Sequence, residues 1–125
     1  MARAKPIIEF CSLKGIIIQA YGTLAPLIHY AGGPVDPVVQ KVARELGATE
    51  SQVLLKWAHQ VTNGGPVVTT SSKEERLMEH IQVFTEIKDL SDVQMNAIAE
   101  AGKQSPQPFR VSRDSRLVAS LAWPL

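Results

Sequence analysis

The chain has 125 residues, 45% apolar and 20% charged, with 13 Lys and Arg against 12 Asp and Glu and a formal charge of +1. That length makes one modest domain, and surface scaling gives about 6,600 Å² folded against about 20,000 Å² unfolded, enough to bury a single core. The near-zero charge excludes a disordered acidic solvator and a nucleic-acid binder held by net charge. Cys11 is the single cysteine, so no intrachain disulfide is expected and a reducing compartment fits. Pro6, Glu9, Lys14 and Gly15 interrupt the first twenty residues, leaving no apolar run for a signal peptide or membrane span. A cytoplasmic chain with no membrane partner is expected.

Pro6 suits a first helical turn, and Ile7, Ile8, Phe10, Cys11 and Leu13 then form an apolar stripe that Gly15 stops. Ile16 to Ile18, running on to Tyr21, is β-branched and too uniformly apolar for a half-exposed strand, which predicts a buried parallel strand. Thr23 to Pro37 holds three prolines and the pair Gly32-Gly33, the signature of a long loop leaving that strand. Val38, Val39, Val42, Ala43 and Leu46 follow helical spacing up to Gly47. Thr49 and Gln52 form a capping box for the next helix, whose inner face would be Val53, Leu54, Trp57, Ala58 and Val61.

Pro66 to Thr70 reads as a second parallel strand, and Ser72 with Glu75 as a capping box for the helix that follows. Val83 to Ile87 is a candidate third strand, and Ser91 with Gln94 caps a last helix ending at Gly102. Strands alternating with helices, without hairpin signals, predict an α/β fold with about three parallel strands. Residues 1 to 104 would form this unit, and 105 to 125, which include Trp123, a tail that wraps or docks.

Ligands in parallel α/β folds gather beyond the carboxyl ends of the strands, which directs attention to Tyr21–Pro26 and Thr70–Arg76. Thr69, Thr70, Ser71 and Ser72 lead from a strand into a helix, aiming hydroxyls and unpaired N–H groups at one point, with Lys73 and Arg76 adding positive charge. This is a phosphate-site pattern, and it also fits an ordinary capped surface helix. His29 and Tyr30 lie on the long loop as a candidate acid and base, while Asp36 before Pro37 reads as a helix N-cap. No His, Cys or carboxylate cluster has metal-ligand spacing, so no metal is expected.

The segments AYGTLAPL, QVLLKWAHQ and VVTTSSKEERLMEHIQVF, in this order and at these intervals, resemble the carboxyl-terminal half of an aldo-keto reductase across residues 4 to 104. The resemblance implies part of a (β/α)₈ barrel. It further implies an NADPH site in which Tyr21 stacks on the nicotinamide and Gly22, Thr23 and Leu24 surround the pyrophosphate. By the same resemblance Thr70, Ser71, Ser72, Lys73 and Arg76 grip the 2′-phosphate, with a guanidinium the best match to phosphate oxygens. Thr70 stands where many members have lysine, and His80 where many have asparagine near the adenine.

The family's catalytic Asp, Tyr, Lys and His belong to the barrel's first half, outside the stretch this sequence resembles. A self-sufficient carbonyl reductase is therefore not expected; a non-redox isomerase or cyclase acting on a small molecule through His29, Tyr30 and Tyr21 is the alternative, and a non-catalytic scaffold the second. Half a barrel also leaves an apolar sheet face exposed, which predicts completion by a homodimer with a cavity lined by Tyr21, Leu24, Leu27, His29 and Trp123.

Overall fold

The computed structural model describes residues 5–28 and 31–104, so His29, Tyr30 and the tail containing Trp123 lie outside the described residues. In chain order the elements are α1 (Lys5–Lys14), β1 (Ala20–Tyr21), α2 (Ala25–Ile28), α3 (Val35–Leu46), α4 (Glu50–Val61), β2 (Val67–Val68), α5 (Glu74–Thr85) and α6 (Asp92–Gln104). β1 and β2 pair in parallel, with Ala20 opposite Val67 and Tyr21 opposite Val68.

The described residues thus form an α/β piece with two parallel strands instead of three. The expected third strand is a correction: Val83, Phe84 and Thr85 continue α5. His80 and Val83 are its buried residues, three apart, so the helical period carries through the β-branched stretch and overrides local strand propensity. β1 is also shorter than the run from Ile16 suggests. The Ala20 N–H donates to the Pro66 carbonyl at 2.9 Å, and Pro66, lacking an N–H, cannot extend the ladder backwards.

Other boundaries follow from local chemistry. The Thr49 capping box is present in full, with Gln52 N–H on Thr49 Oγ1 and Thr49 N–H on Gln52 Oε1; Ser91 and Gln94 make the same reciprocal pair. The Ser72 box is not formed. Lys73 is the N-cap of α5, and its N–H is taken by Ser71 Oγ at 3.1 Å, which moves the helix start one residue later. Asp36 is likewise no cap. α3 begins at Val35 after Pro34, and the Asp36 carboxylate folds back to accept the Gly32 N–H at 2.6 Å. The long loop contains α2, and α6 runs past Gly102, which is buried inside the helix where its small size permits packing.

The core lies among three helices: Val39, Val42 and Ala43 of α3, Val53, Leu54, Trp57 and Ala58 of α4, and Ile98 and Ala101 of α6. Each large side chain here contributes about 1.5–3 kcal/mol by leaving water. Trp57 fills the centre and donates its indole N–H to the Met95 carbonyl at 3.3 Å, fixing α6 against α4. Leu90 is buried at the turn before α6, where Gln60 holds both its N–H and its carbonyl. Gly47, with φ of 64°, ends α3 by donating to the Ala43 and Arg44 carbonyls and turns the chain into α4. Among the described residues no helix is long and apolar enough to cross a membrane.

Candidate functional site

This frame holds a cleft of about 1010 Å³ bounded by α2, the α3–α4 turn, the segment after β2, and α5. Leu24, Leu27 and Ile28 give it an apolar wall. Thr70 and Ser71 bring hydroxyls from the strand end, and Arg76 and His80 face it from one side of α5, four residues apart. α5 carries no side-chain cap, so the N–H groups of its first turn keep their capacity to meet an acceptor.

His80 is only 8% exposed, and its Nδ1 has no hydrogen-bond partner. A buried polar nitrogen in that state costs free energy unless a ligand meets it. Asp36 Oδ1 is a second unpartnered buried atom on the cleft lining. Arg44, in the last turn of α3, and Arg76 both line the cleft, and among the described residues neither forms an ion pair. Asp36, Glu50 and Glu79 are the carboxylates on the same lining.

Of the residues singled out in the sequence, the cleft brings together Leu24, Leu27, Asp36, Thr70, Ser71, Arg76 and His80. Tyr21, 37% exposed at the end of β1, does not line it; nor do Gly22 and the buried Thr23. Ser72 is also off the lining, and Lys73 borders a different groove with Glu74, Glu75 and Met78. Arg44, Glu50 and Glu79 escaped the sequence reading. Arg44 carries no local motif and reads as part of α3's solvent face; only the packing of α3 against α4 delivers it. No group of three or more His, Cys, Asp or Glu among the described residues could hold a metal ion.

Parallel strands, a helix starting just beyond a strand end, and basic and hydroxyl groups in the cleft there define an α/β protein suited to an anionic ligand. The sequence profile of the Aldo/keto reductase family matches residues 1–103, and the chain belongs to that family, whose fold is a (β/α)₈ barrel. Over 90 residues it is 39% identical to the NAD/NADP-dependent indole-3-acetaldehyde reductase of Schizosaccharomyces pombe, covering 72% of this chain and 31% of that protein. It is 35% identical over 108 residues to the NADPH-dependent aldose reductase GRE3 of Saccharomyces cerevisiae, covering 72% and 32%. The rat protein named Aldo-keto reductase family 1 member C21 is 34% identical over 105 residues, covering 77% and 32%. The chain spans about a third of the length of these relatives.

Proposed function

We propose that this chain supplies the NADPH-anchoring part of a small-molecule carbonyl reductase, with the adenosine 2′-phosphate end of the cofactor in the cleft beside α5. The observation that carries the reading is the pairing, on one helix, of an arginine and a buried imidazole nitrogen that, among the described residues, have no ion-pair and no hydrogen-bond partner respectively. Those groups fit a phosphorylated adenosine: Arg76 offers a guanidinium to phosphate oxygens, and Thr70, Ser71 and the first-turn N–H groups offer neutral donors. His80 Nδ1 would meet a polar edge of the base, as donor or acceptor according to its tautomer.

Tyr21, Gly22 and Thr23 lie at the end of β1, off this cleft, and are assigned by family resemblance to the nicotinamide and pyrophosphate end. NADPH, when bound, supplies a hydride for a carbonyl carbon. The protonating group is proposed to lie outside these 125 residues, in keeping with the third of the relatives' length that the chain spans. Titration of the protein with NADPH, followed by cofactor fluorescence, tests the reading. Saturable binding weakened at least about tenfold in Arg76→Ala is expected, one charged hydrogen-bonding group being worth that much. Silence up to millimolar cofactor, or an unaffected Arg76→Ala, would falsify it.

A further inference from the structure

The cleft's charge balance raises a question that Arg76 alone does not answer. Three carboxylates, from Asp36, Glu50 and Glu79, share the lining with two guanidiniums. Without Arg44 the lining would hold three carboxylates against one guanidinium; Arg44 cuts the excess from two negative charges to one, and with it the repulsion a phosphate dianion meets. Lys73 does not relieve it, since it borders another groove. Thr70 offers only a neutral hydroxyl.

Arg44 is placed to supply the missing charge. It enters the cleft from α3, whereas Arg76 comes from α5, so the two guanidiniums belong to separate walls. Its sequence neighbour Glu45 is engaged elsewhere, with Lys41 Nζ at 4.0 Å and Gln94 Nε2 at 2.8 Å, and among the described residues Arg44 forms no ion pair. The α3–α4 turn that positions it is held firmly, by the left-handed Gly47 cap on one side and the Thr49 capping box on the other. The backbone that carries Arg44 is therefore fixed at the cleft rim, while its exposed side chain is free to turn toward a ligand. The unpartnered, nine-tenths-buried His80 Nδ1 on the same lining points independently to a ligand in this space.

We infer that Arg44 is a specificity-determining residue, the second cation on the 2′-phosphate, and that it sets the preference of this chain for NADPH over NADH. The inference rests on the NADPH reading above. The two anchors act as a pair: Arg76 belongs to the helix that opens beside the phosphate, and Arg44 offsets part of the carboxylate charge on the lining. Because Thr70 lines the same cleft, a lysine placed there adds a cation without disturbing α3.

The test is binding of NADPH and NADH to the 125-residue chain by fluorescence titration, with thermal melting of each variant. Arg44→Ala is expected to weaken NADPH about tenfold and NADH less than about twofold, with Tm unchanged. The salt dependence of NADPH binding should flatten, and adding Thr70→Lys to Arg44→Ala should recover most of the affinity. If Arg76→Ala loses NADPH while Arg44→Ala keeps it, the inference falls and the cofactor reading stands. If Arg44→Ala weakens both nucleotides alike, Arg44 acts on the shared dinucleotide or on the fold, and the specificity role is overturned. If the unaltered chain binds neither nucleotide, both readings fall together.

Discussion

Gln52 joins two helices through one side chain: its Oε1 accepts the Thr49 N–H at 3.0 Å while its Nε2 donates to the Glu79 carbonyl at 3.0 Å. The first bond closes the cap of α4, and the second clamps the turn of α5 between Arg76 and His80. Gln52→Glu keeps the capping acceptor but removes the donor, so it separates the two roles. It also buries a carboxylate against the Glu79 carbonyl oxygen, so its expected cost is about 3 kcal/mol or more in urea unfolding, against about 2 kcal/mol for Gln52→Ala, which loses both bonds but buries no charge. NADPH affinity should fall in both variants, because each releases the stretch of α5 between Arg76 and His80.

Lys56 is buried at 8% side-chain exposure, yet its ammonium meets two acceptors, the Val83 carbonyl and Asp89 Oδ1, each at 3.1 Å. The carbonyl belongs to the last turn of α5, so Lys56 acts as that helix's C-terminal cap from a neighbouring helix. Asp89 is 77% exposed, and solvent screens its share of the pair. Asp89→Asn is expected to cost less than about 1 kcal/mol, and less still at high salt. Lys56→Ala, which strands the carbonyl and opens a cavity, should cost about 2–4 kcal/mol by the same measurement. Equal losses in the two variants would assign the stability to the ion pair instead of the cap.

Where sequence and structure agree, the information is local. The Thr49–Gln52 and Ser91–Gln94 boxes are three-residue patterns, the Gly47 stop is one residue's backbone freedom, and the inner face of α4 is a periodic stripe. They differ where tertiary packing chooses between local options. Val83 to Thr85 suit a strand, but Val83 lies one helical step from His80 and is buried with it in α5. Ser72 and Lys73 compete to begin that helix, and Ser71 settles it by accepting the Lys73 N–H. Arg76, Thr70 and Ser71 of the cleft are legible because they cluster in seven residues; Arg44 lies some thirty residues away and no periodicity marks it.

Glu50 offers a contrasting substitution. It stands in the first turn of α4, where a carboxylate favours the helix, and also lines the cleft, where it opposes an anion. Glu50→Gln should therefore destabilise the protein by about 0.3–1 kcal/mol while tightening NADPH about two- to threefold. Stability and binding moving in opposite directions is the diagnostic result. If both fell together, Glu50 would be supporting the cleft's shape and its charge would not matter to the ligand.

Gly65 tests how firmly the two strands are set. A Cβ on this buried residue would overlap the carbonyl oxygen of Ile18 and crowd Thr62 Oγ1. Both obstacles are close to rigid: one is backbone, and Thr62 is tied to the Ala58 carbonyl at 2.9 Å. The Gly65 carbonyl also meets His59 Nδ1 at 3.0 Å, so the segment cannot swing away without losing that contact. Gly65→Ala should cost about 3 kcal/mol or more in urea unfolding. Gly47→Ala provides the comparison, because its φ of 64° strains an alanine while its Cβ meets nothing within 4 Å; about 1 kcal/mol is expected there. The difference between the two isolates steric overlap from backbone preference. Since Ile18 and Pro66 flank the Ala20–Val67 ladder, Gly65→Ala should also displace Thr70 and Ser71 and weaken NADPH, whereas comparable stability of the two variants would mean that the chain before β1 yields and the strand pair is not held by this contact.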